Sequence, residues 1–74
     1  MTRLPRVSGR ECIDALRRAG FDIRRQESSH IILRRNNPFV QLVVPDHHEL
    51  DRGTLRSIIR QSGLTVEEFV ELLR

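Results

Sequence analysis

Lysine is absent from this sequence, cysteine occurs once, and no apolar run is longer than three residues. One cysteine, Cys12, excludes an internal disulfide framework and fits a reducing compartment. The short apolar runs exclude a membrane-spanning helix, which needs about 20 apolar residues. Arg3, Arg6 and Arg10 interrupt the amino-terminal region, so nothing there resembles a signal peptide. We therefore expect a cytoplasmic protein with no membrane partner.

The length of 74 residues limits what the fold can hold. A chain of this size buries only about 60 % of the surface that its unfolded form exposes. Apolar residues make up 38 % of the chain in clear periodic segments, which argues against disorder. We expect residues 1–74 to form one domain, with little room for a deep pocket and no small-molecule cofactor.

The basic charge consists of arginine alone, since all thirteen basic residues are arginine. Arginine binds phosphate oxygens in a bidentate manner and stacks on bases, which lysine does not. Residues 1–35 hold nine arginines and four acids, whereas residues 36–74 hold four arginines and six acids. The first half therefore carries +5 and the second half −2, which sum to the net charge of +3. This asymmetry predicts that the first half forms the surface for a polyanion.

The first half of the chain predicts a helix followed by three strands. Ser8 and Glu11 have the spacing of a capping box, and Gly20 is typical of a helix end. Phe21 then anchors the following turn in the core. The predicted strands are Asp22–Gln26, with Ile23 pointing inward, His30–Arg35 and Phe39–Val44, with a turn at Asn36-Asn37-Pro38. Connections this short require antiparallel pairing.

Two more helices are predicted in the second half. Asp51 can cap a helix that runs from Arg52 to about Ser62 and ends at Gly63. Thr65 and Glu68 form another capping box at the start of a short terminal helix. The order α-β-β-β-α-α predicts an α+β fold, in which a three-stranded antiparallel sheet has helices packed on one face.

His30 opens the second predicted strand, between the arginine pairs Arg24-Arg25 and Arg34-Arg35. Histidine is the side chain whose unperturbed pKa, roughly 6.5, allows proton transfer near neutral pH. If Ile31 and Leu33 face the core, period-two alternation places His30, Ile32 and Arg34 on the open face. This arrangement favours proton transfer next to a polyanion. The alternative is that His30 is only a polar residue on an exposed sheet face.

The other histidines, His47 and His48, lie in a polar loop before the second helix. A zinc site built from them with His30 and Cys12 is not expected, because the spacing is not that of a zinc finger and Cys12 falls on an apolar helix stripe.

Four segments resemble the HicA toxin family, small mRNA interferases of bacterial toxin–antitoxin pairs. The segments are Glu11–Phe21, Gln26–Ile32, Val44–His47 and Gly53–Leu73, in matching order and spacing. The resemblance implies a fold like that of double-stranded-RNA-binding domains, whose element order is the one predicted above. It also implies ribosome-independent cleavage of mRNA and neutralisation by a HicB-type antitoxin.

The family's Gly-Ser-His motif implies that His30 is catalytic. Ser29 and His30 match the motif, whereas Ser28 stands where glycine is usual. As general base, His30 would activate an RNA 2′-hydroxyl, a reaction that is plausible without a metal. Ser29, Arg24, Arg25, Arg34 and Arg35 are then expected to bind RNA. His47 could supply a proton to the leaving oxygen, or cap the following helix and order its loop. A catalytically silent RNA-binding module of the same fold is the alternative function.

Overall fold

The computed structural model describes residues 3–74 and confirms the predicted order of elements. The elements are α1 (Gly9–Arg18), β1 (Asp22–Glu27), β2 (His30–Arg35), β3 (Val40–Pro45), α2 (Arg52–Ser62) and α3 (Val66–Leu72). Residues 1 and 2 of the amino-terminal segment lie outside the described residues. None of the helices within residues 3–74 has the length and apolar character to cross a membrane.

The helix ends follow the sequence signals closely. Both predicted capping boxes are formed, by Ser8 with Glu11 and by Thr65 with Glu68. Asp51 caps α2, and its carboxylate accepts hydrogen bonds from the backbone and hydroxyl of Thr54. These side chains satisfy backbone N–H groups that have no partner within the first helical turn.

The sheet is antiparallel throughout, and β2 is its central strand. The bounds of β2 match the prediction, whereas β1 extends one residue further, to Glu27. The predicted third strand was one residue out of place, because Phe39 belongs to the preceding turn and Pro45 ends the strand. Pro45 is tolerated there because β3 is an edge strand, where an outward position needs no N–H donor.

The core lies between one face of the sheet and the helices. Ile31 and Leu33 of β2 are 1 % and 0 % exposed, which confirms that they face inward. Phe21 and Phe69 are buried with them. The core also includes Leu4 and Val7 from the segment before α1, which the sequence pattern did not identify.

The prediction that Ile23 is buried in the core was wrong, because Ile23 is 42 % exposed. Its cross-strand partner is the core residue Leu33, so it does lie on the side of the helices. However, α1 and α2 pack against β3, and all six residues of β1 are exposed. The helices therefore leave this edge of the sheet uncovered.

The start of α1 packs directly on the end of β3. The Gly9 N–H donates to the His47 carbonyl at 2.8 Å, and the Leu50 N–H donates to the Val7 carbonyl at 2.7 Å. A side chain at Gly9 would collide with the Pro45 carbonyl oxygen and come within 3.1 Å of its carbon. The absence of a side chain at Gly9 is thus a condition for this contact.

We expect Gly9→Ala to destabilise the protein by about 1–3 kcal/mol or more, because a methyl group must displace backbone atoms of Pro45. Gly53→Ala is the matched control, since a Cβ there has only the Asp51 carboxylate nearby, at 3.4 Å. Alanine in a helix is favoured over glycine by up to about 1 kcal/mol, so this control should be neutral or stabilising. Urea unfolding of both variants measures the difference, and equal stabilities would contradict the packing described above.

The turn before β2 provides a second prediction. Ser28 has a φ of +57°, a conformation that costs an L-residue roughly 1–2 kcal/mol and that glycine adopts readily. We expect Ser28→Gly to raise the free energy of unfolding by about 0.5 kcal/mol after the extra entropy of the unfolded chain is subtracted. Ser29 has no positive φ, so Ser29→Gly should lower stability instead. Opposite shifts in the urea midpoint are the expected result, and a loss of stability in both variants would contradict it.

Candidate active site

The face of the sheet away from the helices, here called the open face, is defined by the register of the strands. Cross-strand partners share a face, so His30, Ile32 and Arg34 of β2 lie with Glu27, Arg25, Val43 and Gln41. The predicted placement of His30, Ile32 and Arg34 opposite the core is confirmed. Ile32 is still only 7 % exposed, because Arg25 and Val43 flank it on the two outer strands.

His30 is the first residue of β2, and it is exposed. Its cross-strand partners are Glu27 on β1 and Pro45 on β3. Side chains in such pairs have Cβ atoms about 4.5–5.5 Å apart. The Glu27 carboxylate forms an ion pair with the Arg25 guanidinium, with 2.7 Å between Oε2 and Nε. A carboxylate–guanidinium pair therefore lies beside the imidazole on the open face.

Glu27 was not identified from the sequence, although a local signal existed. A two-residue turn makes the residues on either side of it cross-strand partners. Ser28 and Ser29 form such a turn, which places Glu27 opposite His30.

The structure divides the four arginines that were predicted to bind RNA. Arg25 lies opposite Ile32, which is the next open-face residue after His30 on β2. Arg24 is exposed at a break in the register between Ile23 and Arg25. Arg34 is on the open face about 13 Å from His30 along the strand, at 3.3 Å per residue.

Arg35 lies on the opposite face of the sheet, toward the helices. Its guanidinium carbon is 4.8 Å from the centre of the Phe21 ring, and its side chain is half-buried. The ends of α1 and α2 are close, since a Cβ at Gly20 or Gly63 would be 3.7 or 3.8 Å from it. Arg35 is therefore separated from His30 by the sheet.

An exposed aromatic residue, Phe39, accompanies Arg34 at the far end of the open face. Phe39 is 63 % exposed, whereas Phe21 and Phe69 are buried. The Arg34 guanidinium lies 5.3 Å from the centre of the Phe39 ring and donates to the Gln41 amide oxygen at 3.2 Å. The sequence analysis placed Phe39 in a strand. Its position directly after Pro38 was the signal that could have placed it in the turn instead.

The loop after β3 is held against the His30 end of the sheet. The Asp46 N–H donates to the Ser29 carbonyl at 2.7 Å. The Asp46 carboxylate receives two hydrogen bonds from the Arg10 guanidinium, at 3.1 and 3.2 Å. Arg10 thus reaches this end of the molecule from α1, which the sequence pattern did not predict.

The exposed residue His47 lies in this loop and contributes its backbone carbonyl to the contact with Gly9. Of the roles considered for it, capping of the second helix is wrong, because Asp51 occupies that position. The backbone contact supports the alternative that His47 orders the loop.

Cys12 is fully buried in the core, and burial raises the pKa of its thiol to about 12. It is therefore remote from the open face and not ionised near neutral pH. Within the described part of the chain, no three histidine, cysteine or acidic side chains are grouped so that they could hold a metal ion.

Comparison with known proteins identifies one family. The family model for the HicA toxin of bacterial toxin–antitoxin pairs matches residues 9–64, which include α1, the whole sheet and α2. A search of curated proteins finds no match to this chain. The match covers most of the sequence and every element around His30, and the chain belongs to the HicA toxin family.

Proposed function

We propose that this toxin is an endoribonuclease that cleaves mRNA without a metal ion, with His30 as the general base. The observation that carries the proposal is the exposed imidazole of His30 on the open face, beside the Arg25–Glu27 pair. A general base that acts on RNA benefits from a positive charge close to the reacting phosphate, and the Arg25 guanidinium can supply that charge.

The reaction begins when His30 removes the proton of an RNA 2′-hydroxyl. The resulting oxyanion attacks the adjacent phosphorus in line, and the bond to the 5′-oxygen of the next nucleotide breaks. The products are a 2′,3′-cyclic phosphate and a 5′-hydroxyl, whose proton comes from His47 or from water. General base catalysis of this kind contributes about 10²–10⁴-fold to a rate.

Arg25 is the arginine best placed to stabilise the additional negative charge of the transition state. Its pair with Ile32 is the next pair on the open face after the pair of Glu27 with His30. The ion pair with the Glu27 carboxylate, 2.7 Å away, restrains its guanidinium, and a restrained donor loses less entropy when it binds phosphate. Arg24, at the register break next to Arg25, and the Ser29 hydroxyl, next to His30, are proposed to contact the RNA backbone.

The Arg34–Phe39 pair is proposed to bind RNA at the other end of the open face. Aromatic rings and guanidinium groups both stack on bases, and such stacking tolerates any base. Because Arg34 lies about 13 Å from His30 along the strand, it binds a different nucleotide from the one that is cleaved. Arg35, on the helix side, has no place in this proposal.

A HicB-type antitoxin is the proposed inhibitor, and it would cover the open face. Acidic side chains on the antitoxin would match Arg25 and Arg34, and an apolar centre would match Ile32 and the half-exposed Val43.

We expect His30→Ala to abolish RNA cleavage and growth inhibition while stability changes by no more than about 0.5 kcal/mol, since the side chain is exposed. The matched control is His48→Ala, which removes another exposed imidazole and should cleave as the wild type does. A His47→Ala variant with reduced cleavage but unchanged stability would favour His47 as the proton donor over a role in ordering its loop. If His30→Ala cleaves at the wild-type rate, the general base is another group; if the wild type binds RNA without cleaving it, the chain is a silent RNA-binding module.

The proposed reaction also fixes the chemistry of the product ends. Cleavage should continue in excess chelator, because in the proposed reaction the His30 imidazole activates the 2′-hydroxyl and no metal-bound water takes part. Mass spectrometry of the products should find 2′,3′-cyclic phosphates and 5′-hydroxyls. A requirement for Mg²⁺ together with 5′-phosphate ends would point to metal-assisted hydrolysis instead.

Charge reversal tests whether RNA binds through the open face or only through the net positive charge of the molecule. We expect Arg25→Glu combined with Arg34→Glu to slow association with a fluorescent single-stranded RNA, measured in the His30→Ala protein. The matched control is Arg17→Glu combined with Arg52→Glu, which changes the net charge by the same amount but at positions on α1 and α2. The difference between the pairs should shrink as salt rises, since the Debye length is about 10 Å at 0.1 M. Equal slowing by both pairs would show that the open face is not the RNA surface.

A further inference from the structure

The far end of the open face carries three side chains that contact one another, Arg34, Phe39 and Gln41, here called the Arg34 cluster. The guanidinium of Arg34 lies 5.3 Å from the centre of the Phe39 ring, and a terminal nitrogen donates to the Gln41 amide oxygen at 3.2 Å. Arg34 and Gln41 are cross-strand partners, and Phe39 is 63 % exposed in the turn beside them. The guanidinium is thus held by two neighbours, while the aromatic ring is accessible to a ligand.

The hydrogen-bonding groups that the Arg34 cluster presents are donors. A guanidinium has donors only, so its bond to Gln41 orients the amide with the oxygen toward Arg34 and leaves the amide nitrogen free of that bond. The Arg34 Nε is covered by protein atoms, so the terminal nitrogens are the guanidinium donors that a ligand can reach. A ligand for this cluster must therefore present acceptors.

The charge next to the Arg34 cluster favours a neutral ligand over a phosphate. The partner of Arg34 on β1 is Asp22, and the Cβ atoms of such partners are about 4.5–5.5 Å apart. Asp22 is exposed, and among the described residues no ion pair joins it to Arg34. Its carboxylate repels an anion, whereas a nucleobase offers acceptors without a charge. The cluster is therefore better suited to a base than to a phosphate.

Guanine is the base whose edge matches adjacent donors. Its O6 and N7 are both acceptors, and a guanidinium binds them with two hydrogen bonds, whereas adenine has a donor next to N7 and cytosine presents a donor in place of O6. Stacking on Phe39 tolerates any base, so the donors of the cluster supply the preference. In a paired RNA helix this edge lies in a deep, narrow groove that side chains cannot read, so the guanine must be unpaired.

We propose that the Arg34 cluster is a subsite for one unpaired guanine of the RNA substrate. The inference rests on the proposed function for the cleavage step at His30 and adds a base preference to it. Arg34 lies about 13 Å from His30 along the same strand, at 3.3 Å per residue. Because both residues belong to the central strand of the sheet, the guanine and the cleaved bond are held at a constant separation. The subsite therefore also selects which bond is cleaved.

The binding test uses the full chain with His30→Ala and short fluorescent single-stranded RNAs of adenine, one of which has a central guanine. The guanine RNA should bind about tenfold more tightly, which is in the range that one bidentate contact to a base provides. Inosine retains O6 and N7, so it should bind as guanine does. The 7-deaza analogue of guanine lacks N7 and should lose most of the preference, and so should the guanine RNA annealed to a complementary strand.

Variants of the cluster test which side chain supplies the preference. Arg34→Gln should make the affinities for the guanine and adenine RNAs equal. Arg24→Gln is the matched control, because it removes the same charge from an exposed arginine of the sheet, and it should keep the tenfold ratio. Arg34→Lys retains the charge without the paired donors and should also lose the ratio, so it tests the site if Arg34→Gln does not fold. Phe39→Leu removes the stacking surface and should weaken binding of the guanine RNA several-fold.

Cleavage by the wild type tests the constant separation. When the guanine is moved along the adenine RNA, the cut should move by the same number of nucleotides. In Arg34→Gln, the positions of the cuts should no longer depend on the guanine.

Three results would overturn the inference: equal binding of the guanine and adenine RNAs, an Arg34→Gln variant that binds both more weakly at an unchanged ratio, as loss of a phosphate contact would cause, or cuts that do not follow the guanine. A wild type that cleaves no RNA would contradict the proposed function alone. The binding comparison in the His30→Ala protein would still decide whether the guanine subsite exists.

Discussion

The contact between the first residue of α1 and the last residue of β3 is the constraint on which the His30 end of the molecule depends. Because Gly9 has no side chain, the helix start can approach the Pro45 carbonyl, and its N–H reaches the His47 carbonyl. Arg10 then binds Asp46, whose own N–H binds the Ser29 carbonyl immediately before His30. A continuous series of short contacts thus joins the helix to the turn that begins β2. The position of the imidazole is therefore determined by backbone packing together with the Arg10–Asp46 ion pair.

The central strand β2 supplies core residues on one face and candidate site residues on the other. Ile31 and Leu33 are buried against the helices, while His30 and Arg34 lie on the open face. A shift of one residue in pairing would move every side chain of a strand to the other face. Such a shift would bury His30 and expose the apolar core, so the free energy of core burial also holds the register of the candidate site. In this small domain, burial of the core therefore determines both the stability of the fold and the geometry of the site.

Local signals determined what could be predicted from the sequence. The capping residues Ser8, Asp51 and Thr65 act within one helical turn, and the bounds of α2 and β2 followed from them and from alternation. The features that could not be predicted depend on contacts between residues that are far apart in the chain. The exposure of Ile23 follows from where the helices pack, and the fit of Gly9 against Pro45 joins residues far apart in the chain. Parity alone would have separated Arg34 from Arg35, but the contact of Arg35 with Phe21 required the positions of α1 and α2.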